Sequence, residues 1–161
     1  MILSDTHGYL DEAILDHARQ ADEAWHAGDF GNESVADALA GVTRLRGVYG
    51  NVDGDKLRRR FPLYLPFVVE GLQVFITHIG GYPGRYSSGI KDMLRTRRSG
   101  LFISGHSHIV KVMRDPGLHQ MIHINPGAAG KEGFHQVRTL ARITVSNGTV
   151  SNLRIVELGT R

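Results

Sequence analysis

Five stretches of the chain place oxygen or imidazole donors directly after short apolar runs. Asp5 and His7 follow "MILS", Asp29 follows "AWHAG", Asn51 and Asp53 follow "RGVYG", His78 follows "VFIT", and His106 and His108 follow "LFISG". In open α/β sheets, ligands bind in the crevice beyond the carboxyl ends of the strands. Any one of these endings alone reads as a polar loop; the same ending five times points to a shared site. Asp5, His7, Asp29, Asn51, His78, His106 and His108 offer oxygen and imidazole nitrogen and no sulfur, a set that suits Mn, Fe, Zn, Ni or Mg. The set is larger than one ion ordinarily uses. Two ions about 3.5–4 Å apart share a carboxylate, activate a water and clamp the attacking and leaving oxygens of a phosphoryl transfer. His106 and His108 stand two apart, so they point the same way only on an extended backbone, which predicts a strand tip there. Glycines at Gly28, Gly50, Gly80, Gly81 and Gly105 let the chain turn sharply beside these donors.

The elements that must position the donors can be read from periodicity. Met1 to Ser4 is a short apolar run, and Leu10, Ile14, Leu15 and Ala18 then recur at helical spacing through Ala21. "EAWHA" and "RLRGVY" read as strands on either side of a helix over Glu33 to Ala40. Lys56 to Arg60 is a charged segment whose "KLRRR" reads as a solvated helix face. Two strand-like runs meet at Glu70-Gly71 as a hairpin would, and Ser88 to Arg98 reads as a basic helix. Beyond "LFIS" the pattern turns to alternation, with "IVKVMRD", "HQMIHIN", "TLARITVSN" and "TVSNLRIVEL" as consecutive strands and Asn147-Gly148 as a hairpin turn. The front half therefore predicts βα units and the back half an antiparallel meander.

Composition bounds the function classes. A chain of 161 residues with 41% apolar content is most simply one domain, 1–161, with a filled core. The absence of cysteine excludes disulfides and thiolate metal sites, and it suits a reducing cytoplasm. No apolar run reaches the roughly 18 residues of a membrane span, and "MILSDTHG" lacks the basic region of a signal peptide. The net charge of +3 fits a small anionic substrate and is too weak to predict specific nucleic-acid binding. A homo-oligomer is compatible with this composition.

In order along the chain, "DTHG", "GDFGN", "GNVD", "THIGG" and "GHSH" resemble the five motifs of the calcineurin-like metallophosphoesterases, and most closely their small YfcE-like phosphodiesterase branch. Downstream "INPGAAG", 124–130, is similar to that branch's "INPGS" turn. The resemblance implies an α/β fold, a four-layer αββα sandwich of two mixed sheets, with metals at the strand C-terminal ends. It implies a phosphodiester substrate and two divalent ions, Mn foremost. It places Asp5, His7, Asp29 and His108 on the first ion and Asn51, His78 and His106 on the second, with Asp29 bridging. The nucleophile it implies is a metal-bridging hydroxide. Asp53 it places beside the site, orienting a neighbour by hydrogen bonding.

Two departures stand out. Many relatives carry "GNHD" or "GNHE", with a His that assists the leaving group, where this chain has Val52. The four residues before Asp5 also make a short first strand, and relatives carry a few more apolar residues there, which predicts a longer native amino terminus. Arg85, Tyr86 and Lys91 follow the His78 motif and are expected to contact substrate from an overhanging loop. His17, His26 and His123 read as structural, His119 and His135 follow no motif, and Trp25 reads as core. A rival class is a binding scaffold: the retromer scaffold subunit shares the pattern but replaces the His that this chain keeps as His7. A nucleotidase or dinucleoside-polyphosphate hydrolase is a further alternative, which the missing His at Val52 disfavours.

Overall fold

The computed structural model describes residues 1–161. In chain order the elements are β1 (Ile2–Leu3), α1 (Glu12–Arg19), β2 (Glu23–His26), α2 (Glu33–Val42), β3 (Arg44–Gly47), α3 (Asp55–Arg60), β4 (Tyr64–Val69) and β5 (Leu72–Thr77). There follow β6 (Gly81–Tyr82), β7 (Arg85–Tyr86), α4 (Ile90–Arg97), β8 (Leu101–Ile103), β9 (Lys111–Asp115), β10 (Met121–Asn125), β11 (Val137–Ser146) and β12 (Thr149–Thr160). Two five-stranded sheets result, ordered β12-β11-β1-β2-β3 and β4-β5-β8-β10-β9, with β6 and β7 as a separate ribbon.

Strand alternation sorts the apolar residues into the layers that the αββα reading requires. Ile2, Trp25, Val74, Ile76, Leu101, Ile103 and Ala141 join one buried cluster between the sheets. Their chain neighbours Leu3, Ala24 and Leu140 face the other way, onto Ile14 and Ala18 of α1, Val35 and Leu39 of α2 and Leu57 of α3. Phe75 and Phe102 likewise turn outward from the second sheet onto Ile90 and Leu94 of α4. Helices thus cover both outer faces, and the fold is the four-layer α/β sandwich.

Local chemistry sets the boundaries. The periodic run from Leu10 yields a helix only from Glu12, because the Asp11 carboxylate accepts the Ile14 amide and caps it. Asn32 caps α2 in the same way through the Val35 amide. Glu70 and Gly71 have φ of +47° and +78°, and Asn147 and Gly148 +49° and +74°, the paired positive values of a two-residue hairpin turn. The back half is not a meander. β10 pairs antiparallel with β9 but parallel with β8, whereas β11 and β12 join the first sheet beside β1. Alternation records only that each strand has two unlike faces, and it carries no information about which sheet the strand enters.

Within each sheet three strands run parallel: β1, β2 and β3 in the first, β5, β8 and β10 in the second. A buried histidine stands near the carboxyl end of each set. His26, ending β2, accepts the Gly28 amide at Nδ1 and so donates from Nε2 to Thr6 Oγ1, while its ring stacks 3.6 Å from Phe30. His123, in β10, bonds Ser104 Oγ through Nε2. Burial pushes their pKa values down to about 3 and about 4, so both are neutral in the folded protein. Each ring's folded pKa lies below the ordinary 6.5, so the stability tied to its neutral state is complete above that value. It is lost as pH falls toward the folded pKa, at about 1.4 kcal/mol per pH unit for each ring. In the presence of a chelator the protein should therefore melt at progressively lower temperature from about pH 6 to pH 4. His123→Gln should shallow that dependence relative to the parent in a calorimetric pH series, and identical slopes would exclude this origin.

Candidate metal centre

The carboxyl ends of β1, β2, β3, β5 and β8 open onto one crevice, and the loops that follow them are stitched together by backbone bonds. Asp5 N–H donates to Gly28 O at 3.0 Å, His7 N–H to Asp29 O at 3.0 Å, and Gly105 N–H to His78 O at 3.0 Å. Ala129 and Gly130, in the loop after β10, donate to Ser4 O at 2.9 Å and Asp5 O at 3.0 Å. Asp53, buried, accepts the Gly31 and Gly50 amides, each at 2.8 Å, and so joins the loop carrying Asp29 to the loop carrying Asn51. Gly50 and Gly105 sit where no side chain fits: a Cβ on the first would collide with the Asp29 carboxylate, and on the second with Ser4 Oγ.

These loops assemble two donor groups. Asp5, His7 and His108 form one, and Asp29, His78 and His106 the other, each with its ligand atoms within 4.8 Å of one another. In the first, His108 Nε2 lies 3.2 Å from both Asp5 Oδ1 and His7 Nε2. In the second, His78 Nε2 lies 3.1 Å from both Asp29 Oδ2 and Asn51 Oδ1. Donors about 2.1 Å from one ion stand about 3.0–3.4 Å from each other in octahedral or tetrahedral arrangements, so these spacings match one coordination sphere apiece. Asp5 Oδ1 is also 4.0 Å from His78 Nε2, and Asp29 Oδ2 is 4.0 Å from His7 Nε2, so both carboxylates face both groups.

The unused atoms tell the same story. Each carboxylate has one oxygen held by the protein and the other turned to the crevice. Asp5 Oδ2 accepts Ser4 Oγ–H and the His106 amide, and Asp29 Oδ1 accepts the Val52 amide. Asp5 Oδ1 is buried without any hydrogen-bond partner. An orphaned buried carboxylate oxygen costs free energy unless a cation meets it, and so this atom fits a metal ligand. His78 donates Nδ1–H to Ala27 O at 2.8 Å, which fixes its tautomer and turns the Nε2 lone pair into the crevice.

Electrostatics agree. Burial resists charge on His78, but its hydrogen bond to Asp29 and the negative charges of Asp5 and Asp29 prevail and raise its pKa above the ordinary value. The Asp5 carboxylate, 3.2 Å from Nε2 and ready to accept a proton placed there, raises that of His108 against the effect of burial. Burial works to raise the pKa of Asp29, yet the His78 contact, with the Val52 amide, holds it below the ordinary carboxylate value. The crevice attracts positive charge.

Several expectations need correction. His106 and His108 do not lie on an extended strand: β8 ends at Ile103, and their φ values are +68° and +56°. Two left-handed residues aim the rings at different groups, which an extended pair would not do. Tyr86 does not overhang the crevice. Its hydroxyl donates to Asp115, its ring packs on Phe102 at the outer face of the second sheet, and burial with the Asp115 contact raises its pKa. Arg85 and Lys91 are exposed on the ribbon and on the first turn of α4. Two contributors were missed. Asn125, within the "INPGAAG" stretch, donates to Gly105 O and braces the histidine loop at 2.8 Å. His135 lies edge-on to His108 with ring centroids 5.3 Å apart and contacts Gly130 O at 3.0 Å; no sequence signal distinguished it from His119.

Comparison with known proteins places these features in a family. Residues 1–148 match the calcineurin-like phosphoesterase superfamily domain. A probable metallophosphoesterase of Methanothermobacter thermautotrophicus is 26% identical over 136 residues, covering 79% of this chain and 74% of the relative. Among solved structures, Vps29 of Entamoeba histolytica complexed with zinc has a TM-score of 0.72 at 15% identity, covering 97% of each chain. A predicted phosphoesterase of Streptococcus pneumoniae has a TM-score of 0.65 at 15% identity, covering 97% of this chain and 96% of its own. No helix is long and apolar enough to cross a membrane. With nine-tenths of its length matched and the αββα sandwich in place, the chain belongs to the calcineurin-like phosphoesterase superfamily.

Proposed function

We propose that the protein is a dinuclear metal-dependent phosphodiesterase acting on small phosphate esters. Asp5, His7 and His108 would hold one divalent ion, and Asn51, His78 and His106 the other, with Asp29 shared between them. The observation that carries this reading is the pair of adjacent donor groups with two buried carboxylates facing both. Manganese is the expected ion, and the oxygen and imidazole donors also suit Fe, Zn, Ni or Mg. Such a pair of ions supplies Lewis acidity and an activated water for phosphoryl transfer. The chain's own part is to hold the donors rigid. Asp53 pins two ligand loops to each other, and the Val52 amide fixes the Asp29 carboxylate with one oxygen free.

A protein-binding scaffold is the competing reading. It draws on the likeness to Vps29 structures, one of them complexed with a cyclic peptide, but at 16% identity that likeness speaks to fold alone. His7 stands 3.2 Å from His108, inside the first donor group, and favours the enzyme. Asp29→Asn should lower bound metal and hydrolysis together, with activity falling roughly 100-fold or more because both donor groups lose a shared charge. Metal analysis beside a diester assay checks this, and full activity with two ions bound would exclude the shared role.

Val52 generates a second expectation. Its side chain is half exposed at the crevice and has no proton to give a departing alkoxide. General acid catalysis contributes about 10²–10⁴-fold, so its absence matters most when the leaving group is a strong base. Rates should fall steeply across diesters of rising leaving-group pKa, with aryl esters far ahead of alkyl esters. Val52→His should flatten that slope. A parent slope near zero while chemistry limits the rate would show that another acid acts.

A further inference from the structure

Three exposed aliphatic side chains follow candidate ligands without a break: Val52 after Asn51, Ile79 after His78, and Ile109 after His108. Single exposed aliphatics are ordinary on a protein surface. Three of them around one polar crevice, 50%, 47% and 61% exposed, form a pattern that packing does not require. Ile79 and Ile109 also line a cavity of about 280 Å³ that shares His106 with the second donor group. Tyr82, Lys111 and the buried His123 line it too, beside three serines and Asn125, and no carboxylate does. The Lys111 ammonium rests 3.6 Å from the centroid of the Tyr82 ring.

We propose that this cavity is a subsite for the arm of the ester that stays on phosphorus, so that the preferred substrates are phosphodiesters whose non-leaving group is aryl or heteroaryl. The inference rests on the phosphodiesterase reading and deepens it. Size supports it: the volume falls just below the range of about 300–1,000 Å³ typical of whole small-molecule sites, as a subsite for one ring would, and is too small for two nucleosides. Wall chemistry supports it as well. Ile79 and Ile109 offer apolar surface, Tyr82 a π face, and Lys111 a cation suited to an electron-rich or acceptor-bearing ring. The single positive charge and the missing carboxylates turn away a cationic arm. Position supplies the last support, because an arm seated beside His106 leaves its phosphate next to the two donor groups.

The test uses two diesters with the same leaving group, phenyl 4-nitrophenyl phosphate and methyl 4-nitrophenyl phosphate, with the manganese-loaded protein. A shared leaving group removes its pKa from the comparison. The phenyl ester should show a KM roughly tenfold lower with kcat within about threefold, the gain expected for burying part of one ring. Ile109→Asp should collapse the KM difference, and the exposed position makes the substitution compatible with folding. Calorimetry of phenylphosphonate against methylphosphonate gives a readout independent of turnover, with about tenfold tighter binding expected for the phenyl compound. In the zinc-loaded protein, phenylphosphonate should shift the methyl resonances of Ile79 and Ile109. Equal affinities in the parent, a full phenyl preference kept by Ile109→Asp, or methyl shifts confined elsewhere would each overturn the subsite. A phenylphosphonate preference without hydrolysis of either diester under any metal would uphold the subsite and overturn the phosphodiesterase reading instead.

Discussion

Two buried carboxylates, each with one oxygen turned to the same crevice, are the constraint around which this molecule is organised. Asp5 and Asp29 are at most 2% exposed, and burying negative charge without a counter-charge costs far more than any single packing contact returns. The inner oxygens are held by Ser4 Oγ–H and the amides of His106 and Val52, which come from three different loops. The outer oxygens face imidazoles across the crevice, and one of them, Asp5 Oδ1, is buried with no hydrogen-bond partner while those rings are neutral. The sandwich supplies what such a site demands: parallel strands from two sheets that deliver several short loops to one place, and a dry core that keeps them there.

Backbone conformation carries a second cost at the same positions. Asp5, His7, Asp29, His106 and His108 all have positive φ, between +48° and +68°. Left-handed backbone costs a non-glycine residue on the order of 1 kcal/mol or more, and it persists only where surroundings over-determine it. Here the surroundings are the inter-loop bonds from Asp5 to Gly28, His7 to Asp29 and Gly105 to His78. Strain at five donor positions, beside an unsatisfied carboxylate oxygen, has no structural return visible within the chain. It is understandable where the geometry serves a bound cation.

Legibility divided along physical lines. Donor types and their places after apolar runs were plain in the sequence, because side-chain chemistry is written one residue at a time. The helix from Glu33 and the hairpin turn at Asn147-Gly148 follow equally local rules, whereas the cap at Asp11, which starts the first helix two residues after Leu10, was not read. Sheet membership was not legible: alternation in "HQMIHIN" and "TLARITVSN" gave no sign that β10 joins β8 while β11 crosses to β1. Nor was the direction of the histidine pair, since left-handed backbone at His106 and His108 comes from loop-to-loop bonds and not from residue preference. Tyr86 failed for a related reason. Its partner Asp115 is 29 positions away, and the contact that draws the ring away from the crevice exists only once the second sheet is assembled.

The same electrostatics couple the state of the site to its surroundings. With no cation beside them, the carboxylates recruit protons, and His78 and His108 have their pKa values raised for that reason. A divalent ion needs those imidazoles neutral, so ion and proton compete for one set of nitrogens, and the competition favours the proton as pH falls. His26 sits one layer behind, its neutral state enforced by burial, and joins Gly28 to Thr6, the residue between Asp5 and His7. Acid thus acts twice on this end of the molecule. It first titrates the donors that a cation would use, and at lower pH it charges the ring that keeps the β1 and β2 loops together, so loss of the site and loss of its scaffold follow in that order.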